Sequence, residues 1–143
     1  MADTKFGTAV WEGGLKSGGG KVSTESGVLS DQGYGFGTRF GGDKGTNPEE
    51  LVGAAHASCF AMATALILEQ AGIEAVKVEA KSAVTIDEVD GGFAITRAAL
   101  TATVSGKGDE ATLRKAAEDA KTGCPISKLL NTEVTLDLTV NAG

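Results

Sequence analysis

The sequence predicts one mixed domain of helices and strands, organised around a single long buried helix. Three observations carry that expectation. An uncharged run from Leu51 to Leu68 lies between a helix start at Asn47-Pro48 and a stop at Gly72. After Gly72 the apolar residues recur at every second position, the period of a strand. The last residues alternate again, with Val134, Leu136, Leu138 and Val140 opposite Thr135, Asp137 and Thr139. A chain of 143 residues is long enough for one core, so a single domain spanning 1–143 is expected.

Asn47 is a good N-cap, Pro48 fits the first turn, and Glu50 is placed to close a capping box. The run that follows has no polar face, and a helix of that kind must be buried. Its length just reaches that of a membrane span. It is built from Ala, Gly, Ser and His as much as from Leu and Ile, has acidic flanks and lacks a Trp/Tyr belt, so a buried helix of a soluble protein fits it better. Gly53, Ala54, Ala55, Ala57 and Ala61 allow close approach by another helix or a sheet.

Ahead of this helix, residues 5–13 alternate weakly around Ala9 and Trp11. A second short strand is expected over 21–24, with Gly18-Gly19-Gly20 as the hairpin loop. Residues 26–45 are laced with glycine. If they are extended, Phe36, Thr38 and Phe40 share one face and Arg39 takes the other. Behind the helix, Val76, Val78, Ala80, Val84 and Ile86 form an apolar face, and Asp90-Gly91-Gly92 is a hairpin turn. The return strand changes phase between Ile95 and Ala98, which predicts a bulge near Thr96 and Arg97. Asp109 or Gly108 caps a second helix with Leu113, Ala116, Ala117 and Ala120 on one face, ending at Gly123. Cys124-Pro125-Ile126 opens a short helical piece reaching Leu130.

Composition excludes several functions. Hydrophobic content of 41% and charged content of 22% are ordinary for a globular protein. A net charge of −6 disfavours nucleic acid and anionic membrane surfaces as partners. Aromatic content of 5% leaves little for base or sugar stacking. The N-terminus lacks a basic start followed by an apolar run, so no signal peptide and a cytoplasmic location are expected. Two cysteines are too few for a disulfide scaffold, and in a reducing compartment they are catalytic or inert.

Taken singly, the chemical candidates have bland readings. Cys59 alone is a buried thiol. Glu49 and Glu50 complement the helix dipole, and Arg39 is as readily a surface ion-pair partner. Together they suggest a reactive thiol. Cys124 stands at a helix start, where the dipole favours a thiolate, and Arg39 is a cation able to lower a thiol pKa, held by Glu49. Glu49 and Cys59 are ten residues apart, about 15 Å along one helix, too far to share one arginine. A site made of Arg39, Glu49 and Cys59 therefore implies a second chain, a homodimer with its active site at the interface. His56, three residues before Cys59, can be a metal ligand, a base or a satisfied core histidine. The last is favoured, because two ligands are too few for a structural zinc.

The motifs Ser23-Thr24-Glu25-Ser26-Gly27-Val28-Leu29, Tyr34-Gly35-Phe36 with Thr38-Arg39-Phe40, Gly45-Thr46-Asn47-Pro48-Glu49-Glu50-Leu51 through His56 to Cys59-Phe60, and Gly123-Cys124-Pro125 closely resemble the OsmC/Ohr family of thiol peroxidases. The likeness runs through the whole chain in order, and the position of Arg39 matches the OsmC branch. The resemblance implies an α+β fold found as an intertwined dimer, with central buried helices wrapped by antiparallel sheets. It makes Cys59 the peroxidatic cysteine, Cys124 the resolving one, and Arg39 with Glu49 the activating pair. The implied reaction is reduction of organic hydroperoxides, with hydrogen peroxide a poorer substrate and an external dithiol as reductant. No cofactor and no metal are implied. Cys59 rather than Cys124 is the attacker on this reading, since the full charge of Arg39 outweighs a half-charge dipole. Phe36, Phe40, Phe60 and Met62 are the expected apolar wall for the substrate's tail. Two rivals remain in view, a hydrophobic-ligand-binding protein and a redox sensor.

Overall fold

The computed structural model describes residues 2–143, whose chain divides into two compact units, one up to Leu51 and one from Val52 to Gly143.

In the first unit, β1 (Gly7–Glu12), β2 (Gly19–Thr24) and β3 (Gln32–Tyr34) form an antiparallel sheet in that order. The expected hairpin loop is displaced: it occupies 13–18, and Gly19 and Gly20 belong to β2. The reason lies in the neighbours of Gly20, which pairs with Trp11 on one side and Tyr34 on the other. Those two rings pack at 5.6 Å between centroids, and a Cβ on Gly20 would lie 2.6 Å from Tyr34 and 2.7 Å from Trp11. Gly20 is thus a glycine that makes room for side chains, not one that makes a turn.

A further correction concerns 36–40, which are helical rather than extended, as α1 (Phe36–Phe40). Local hydrogen bonds outweigh the alternating pattern. The Gly35 N–H donates to Thr38 Oγ1 at 3.0 Å, and the Arg39 N–H donates to the Gly35 carbonyl at 3.1 Å. Phe36 and Phe40 then stack four residues apart, 5.1 Å between centroids.

The long helix is α2 (Pro48–Gln70). Asn47 caps it as expected, its Oδ1 accepting the Glu50 N–H at 2.8 Å. At the other end Gly72 has φ +75°, the Gly72 N–H donates to the Glu69 carbonyl, and the Ile73 N–H reaches the Leu68 carbonyl at 2.8 Å. This is a Schellman closure, which requires the left-handed residue that glycine supplies. The helix is apolar all round but not buried all round. Phe60, Thr64 and Leu68 are fully buried with His56, whereas Met62 is 77% and Leu66 54% exposed on the opposite side. Among the described residues α2 is the one helix long and apolar enough to cross a membrane. Gly53, where a Cβ would lie 2.7 Å from the Ser82 carbonyl oxygen, packs it directly on a strand, as in a core helix.

The second unit's sheet has the order β4 (Glu74–Val89), β5 (Gly92–Lys107), β6 (Glu133–Ala142). Asp90 and Gly91, both at positive φ, make the predicted hairpin turn between β4 and β5. The expected bulge is present: Thr85 pairs with Arg97 and Ile86 with Ile95, leaving Thr96 as the extra residue. A second irregularity between Ala75 and Lys77 reverses the facing of the first residues of β4. Val76, expected inside, is therefore 61% exposed, and Ala75 takes its place. The sheet is mixed, not wholly antiparallel, because β6 runs parallel to β5 over Arg97–Gly106. Parallel neighbours need a crossover, supplied by α3 (Glu110–Gly123) and α4 (Pro125–Leu129). Asp109 caps α3 by accepting the Thr112 N–H at 3.0 Å, and Leu113, Ala116, Ala117 and Ala120 are its buried face. They close one core with Phe60, Leu68, Leu100, Val104 and Cys124.

Candidate active site

Both cysteines lie in the second unit and both are free thiols. Cys59 is partly exposed on α2, one turn beyond His56. Cys124 stands at the break between α3 and α4. Pro125 cannot continue α3, so Cys124 turns extended (φ −66°, ψ 141°) and becomes the N-cap of α4, its Sγ accepting the Ser127 N–H at 3.3 Å. This geometry brings Cys124 close enough to Cys59 to influence its titration. Burial pushes the Cys59 thiol above its ordinary pKa, and the neighbouring Cys124 pushes it further; the backbone amide of Ile126 opposes them. Within its own unit, then, Cys59 has the right neighbour for a disulfide and the wrong surroundings for a thiolate.

His56 is wholly buried and both ring nitrogens are engaged. Nδ1 lies 2.7 Å from Ser82 Oγ on β4, and Nε2 lies 2.8 Å from Ser127 Oγ on α4. Ser127 Oγ in turn accepts a hydrogen bond from the Cys124 thiol at 3.1 Å. Burial alone holds the imidazole's pKa below the ordinary 6.5. Sequence reasoning missed both serines. Ser82 carried a signal, being a lone hydroxyl among Val78, Ala80, Val84 and Ile86 on the inward face of β4. Ser127, three residues after Cys124, sits where a cap's partner is found. Among the described residues, no three His, Cys, Asp or Glu side chains cluster as metal ligands would.

The first unit holds the other two candidates, Arg39 and Glu49. Arg39 Nε donates to both Glu49 oxygens, at 3.2 and 3.1 Å, and Nη2 donates to Oε1 at 2.6 Å. The carboxylate keeps Arg39 more firmly protonated than an isolated guanidinium. Asn47 Nδ2 donates to the Thr38 carbonyl at 3.0 Å, so the residue that caps α2 also ties down α1. Beside Arg39, Trp11, Leu15, Phe36 and Phe40 line a hollow of about 280 Å³. Beside Cys59, Met62, Leu66 and Ile126 line an apolar groove of about 790 Å³. Of the expected apolar wall, Phe36 and Phe40 thus belong with the guanidinium and Met62 with the thiol. Phe60 belongs with neither: one residue along α2 from Cys59, it faces the core and is 0% exposed.

The chain matches the model of the OsmC-like protein family over residues 41–139. It is 54% identical over 138 residues to the peroxiredoxin OsmC of Escherichia coli (strain K12), covering 96% of each chain. It is 32% identical to the organic hydroperoxide resistance protein OhrB of Bacillus subtilis (strain 168), over 83% of this chain and 88% of that one. The crystal structure of that OhrB covers 93% of this chain and 97% of its own, with a TM-score of 0.68 at 31% identity. An organic hydroperoxide resistance protein from Elizabethkingia anophelis covers 99% of this chain and all of its own, with a TM-score of 0.76 at 28% identity.

Proposed function

Because the chain belongs to the OsmC/Ohr family of cysteine-based peroxidases, we propose that it reduces organic hydroperoxides through a cycle run by Cys59 and Cys124. The observation that carries this reading is the pair of free thiols set near one another, one buried and one partly exposed among apolar residues. The Cys59 thiolate attacks a peroxide oxygen. The O–O bond breaks, an alcohol departs, and a sulfenic acid is left on Cys59. Cys124 attacks that sulfur and water leaves as the disulfide forms. An external dithiol then reduces the disulfide by exchange. The apolar surroundings of Cys59, with Ala63 and Ile126 beside it, suit an alkyl tail better than bare hydrogen peroxide.

Activation is assigned to Arg39, oriented by Glu49. A full charge about 4 Å from the sulfur supplies about 4 kcal/mol at the effective dielectric of a protein surface, equivalent to lowering a thiol pKa by about three. It acts against the burial that raises Cys59. Along α2, Glu49 and Cys59 are about 15 Å apart, so the reading requires Arg39 and Glu49 to come from a second copy of the chain. The exposed apolar stripe of Met62 and Leu66 is what a helix packed against its counterpart in a dimer would present. The setting proposed is the reducing cytoplasm. The test is a steady-state assay with cumene hydroperoxide and dithiothreitol, with Cys59→Ser as control. Turnover is expected, and it should be lost in the control. Absence of turnover in the unaltered protein would remove the proposal in favour of simple ligand binding.

A further inference from the structure

For the disulfide to form, Cys124 must give up its proton, and it is buried away from water. The structure provides a route. The Cys124 thiol donates to Ser127 Oγ, 3.1 Å away. A hydroxyl that accepts from a thiol is free to donate onward, and the next atom is His56 Nε2 at 2.8 Å. That direction makes Nε2 the bare nitrogen and puts the ring's proton on Nδ1, which donates to Ser82 Oγ at 2.7 Å. We propose that His56, acting through Ser127, takes the proton of Cys124 in the disulfide-forming step, with Ser82 fixing the tautomer that makes it an acceptor. The inference rests on the two-thiol cycle proposed above and assigns its second half.

The step balances. The thiol proton passes to Ser127 Oγ as the Ser127 hydroxyl proton passes to Nε2. The sulfur electron pair released on Cys124 attacks the Cys59 sulfur, and the S–O bond of the sulfenic acid breaks. The departing hydroxide recovers the proton from the imidazolium and leaves as water. Cys124 sulfur is oxidised, Cys59 sulfur is reduced, and nothing beyond the two residues is consumed.

The surroundings of His56 suit this role. It is faced by Ser82 from β4, Ser127 from α4 and the Cys124 thiol at the α3–α4 break, with Cys59 one turn along its own helix. Among the described residues no carboxylate or ammonium contributes to its titration; burial lowers it, so the ring stays uncharged and able to accept near neutral pH. Gly53, one turn earlier on α2, lets the backbone of β4 come close enough for Ser82 to reach the ring. A histidine serving only to fill the core needs its nitrogens satisfied, but it has no need of a chain ending on a nucleophile.

The experiment separates the two halves of the cycle. Reduced full-length protein is mixed with one equivalent of cumene hydroperoxide from pH 6 to 9, quenched by alkylation, and analysed by mass spectrometry for sulfenic acid and disulfide. His56→Gln keeps hydrogen bonding but cannot accept the proton. At pH 7 it should slow conversion of sulfenic acid to disulfide by roughly 10²-fold, the usual worth of a positioned base. The lost rate should return in proportion to hydroxide towards pH 9. The second step should lose at least tenfold more than the first. Ser127→Ala breaks the same chain with one oxygen and carries the test if His56→Gln fails to fold. A folded variant of either kind that resolves its sulfenic acid at the unaltered rate, with the unaltered pH profile, overturns the inference alone. Failure of the unaltered protein to form any sulfenic acid on Cys59 overturns the peroxidase reading, and this inference with it.

Discussion

Arg39 grips Glu49 with Nε and Nη2 together, three contacts of 2.6 to 3.2 Å onto one carboxylate. A fork of this kind fixes the plane of the guanidinium as well as its charge. The carboxylate is nearly buried while the Arg39 side chain is 35% exposed, so solvent screens part of the attraction. Glu49→Gln should therefore cost only about 1–2 kcal/mol of stability in urea titration. Its larger effect should be on catalysis. Arg39→Lys keeps the charge and loses the fork, so peroxidase rates should fall about tenfold or more with little change in the urea midpoint.

The roles of the two thiols separate in single turnover. Cys59→Ser should consume no hydroperoxide. Cys124→Ser should consume one equivalent, hold a sulfenic acid trappable by dimedone, and then overoxidise under excess peroxide. A dimedone adduct on Cys124, formed in the Cys59→Ser protein, would reverse the assignment.

His56 gives the folded protein an acid-sensitive term. Its pKa is lowered in the fold by burial, so below the ordinary 6.5 the unfolded chain binds a proton that the folded chain resists. Stability from this group is present above 6.5 and is lost as the pH falls towards the lowered value. Urea midpoints at pH 7.5 and 5.5 should differ more for the unaltered protein than for His56→Gln. Within a single chain Cys59 acts in the opposite sense. Its raised pKa makes its contribution complete below the ordinary thiol value of 9.0 and lost as the pH climbs above it, a term that Arg39 from a second copy would reverse.

Gly53 is a contact that only hydrogen can make. In Gly53→Ala the new methyl would lie 2.7 Å from the Ser82 carbonyl, a backbone atom that moves only with its strand. The expected loss is about 1–3 kcal/mol despite alanine's better helix propensity. Ala54→Gly on the exposed side should cost nearer 1 kcal/mol.

The dimer proposal has its own test. Met62→Asp places a charge on the exposed apolar stripe of α2 and disturbs no buried contact. Sedimentation should show the unaltered chain as a dimer and this variant shifted towards monomer, with peroxidase activity falling in step.

Much of this was legible in the sequence, and the failures are instructive. Asn47, Gly72, Asp90-Gly91, Thr96 and Asp109 mark local events, and local chemistry decides them. Arg39 and Glu49 were identified as a pair, and they are one. What escaped were relationships set across distance. Phe36 to Phe40 alternate like a strand, yet five residues between glycines obey the hydrogen bonds of Gly35 and Thr38 instead. Val76 fits the period of β4, but an irregularity one residue away turns it outward. Ser82 and Ser127 are ordinary residues until the fold sets them on either side of one imidazole. Apolar character all round α2 predicted burial on every side, yet within the chain only the face of His56, Phe60, Thr64 and Leu68 is buried, while Met62 and Leu66 stay exposed.

The partnership of β6 with β5 stops at Arg97, while β4 and β5 continue together to the turn at Asp90. Within the sheet, the outer part of that ribbon is therefore two strands wide, and a two-stranded ribbon is marginal on its own. Amide deuteration should run as a gradient, with Ile86 to Ile95 exchanging through small local openings and Leu100 to Val104 only when the whole unit opens. The hairpin would then be first to loosen, its turn opening while the three-stranded part of the sheet, from Arg97 onward, stays in register.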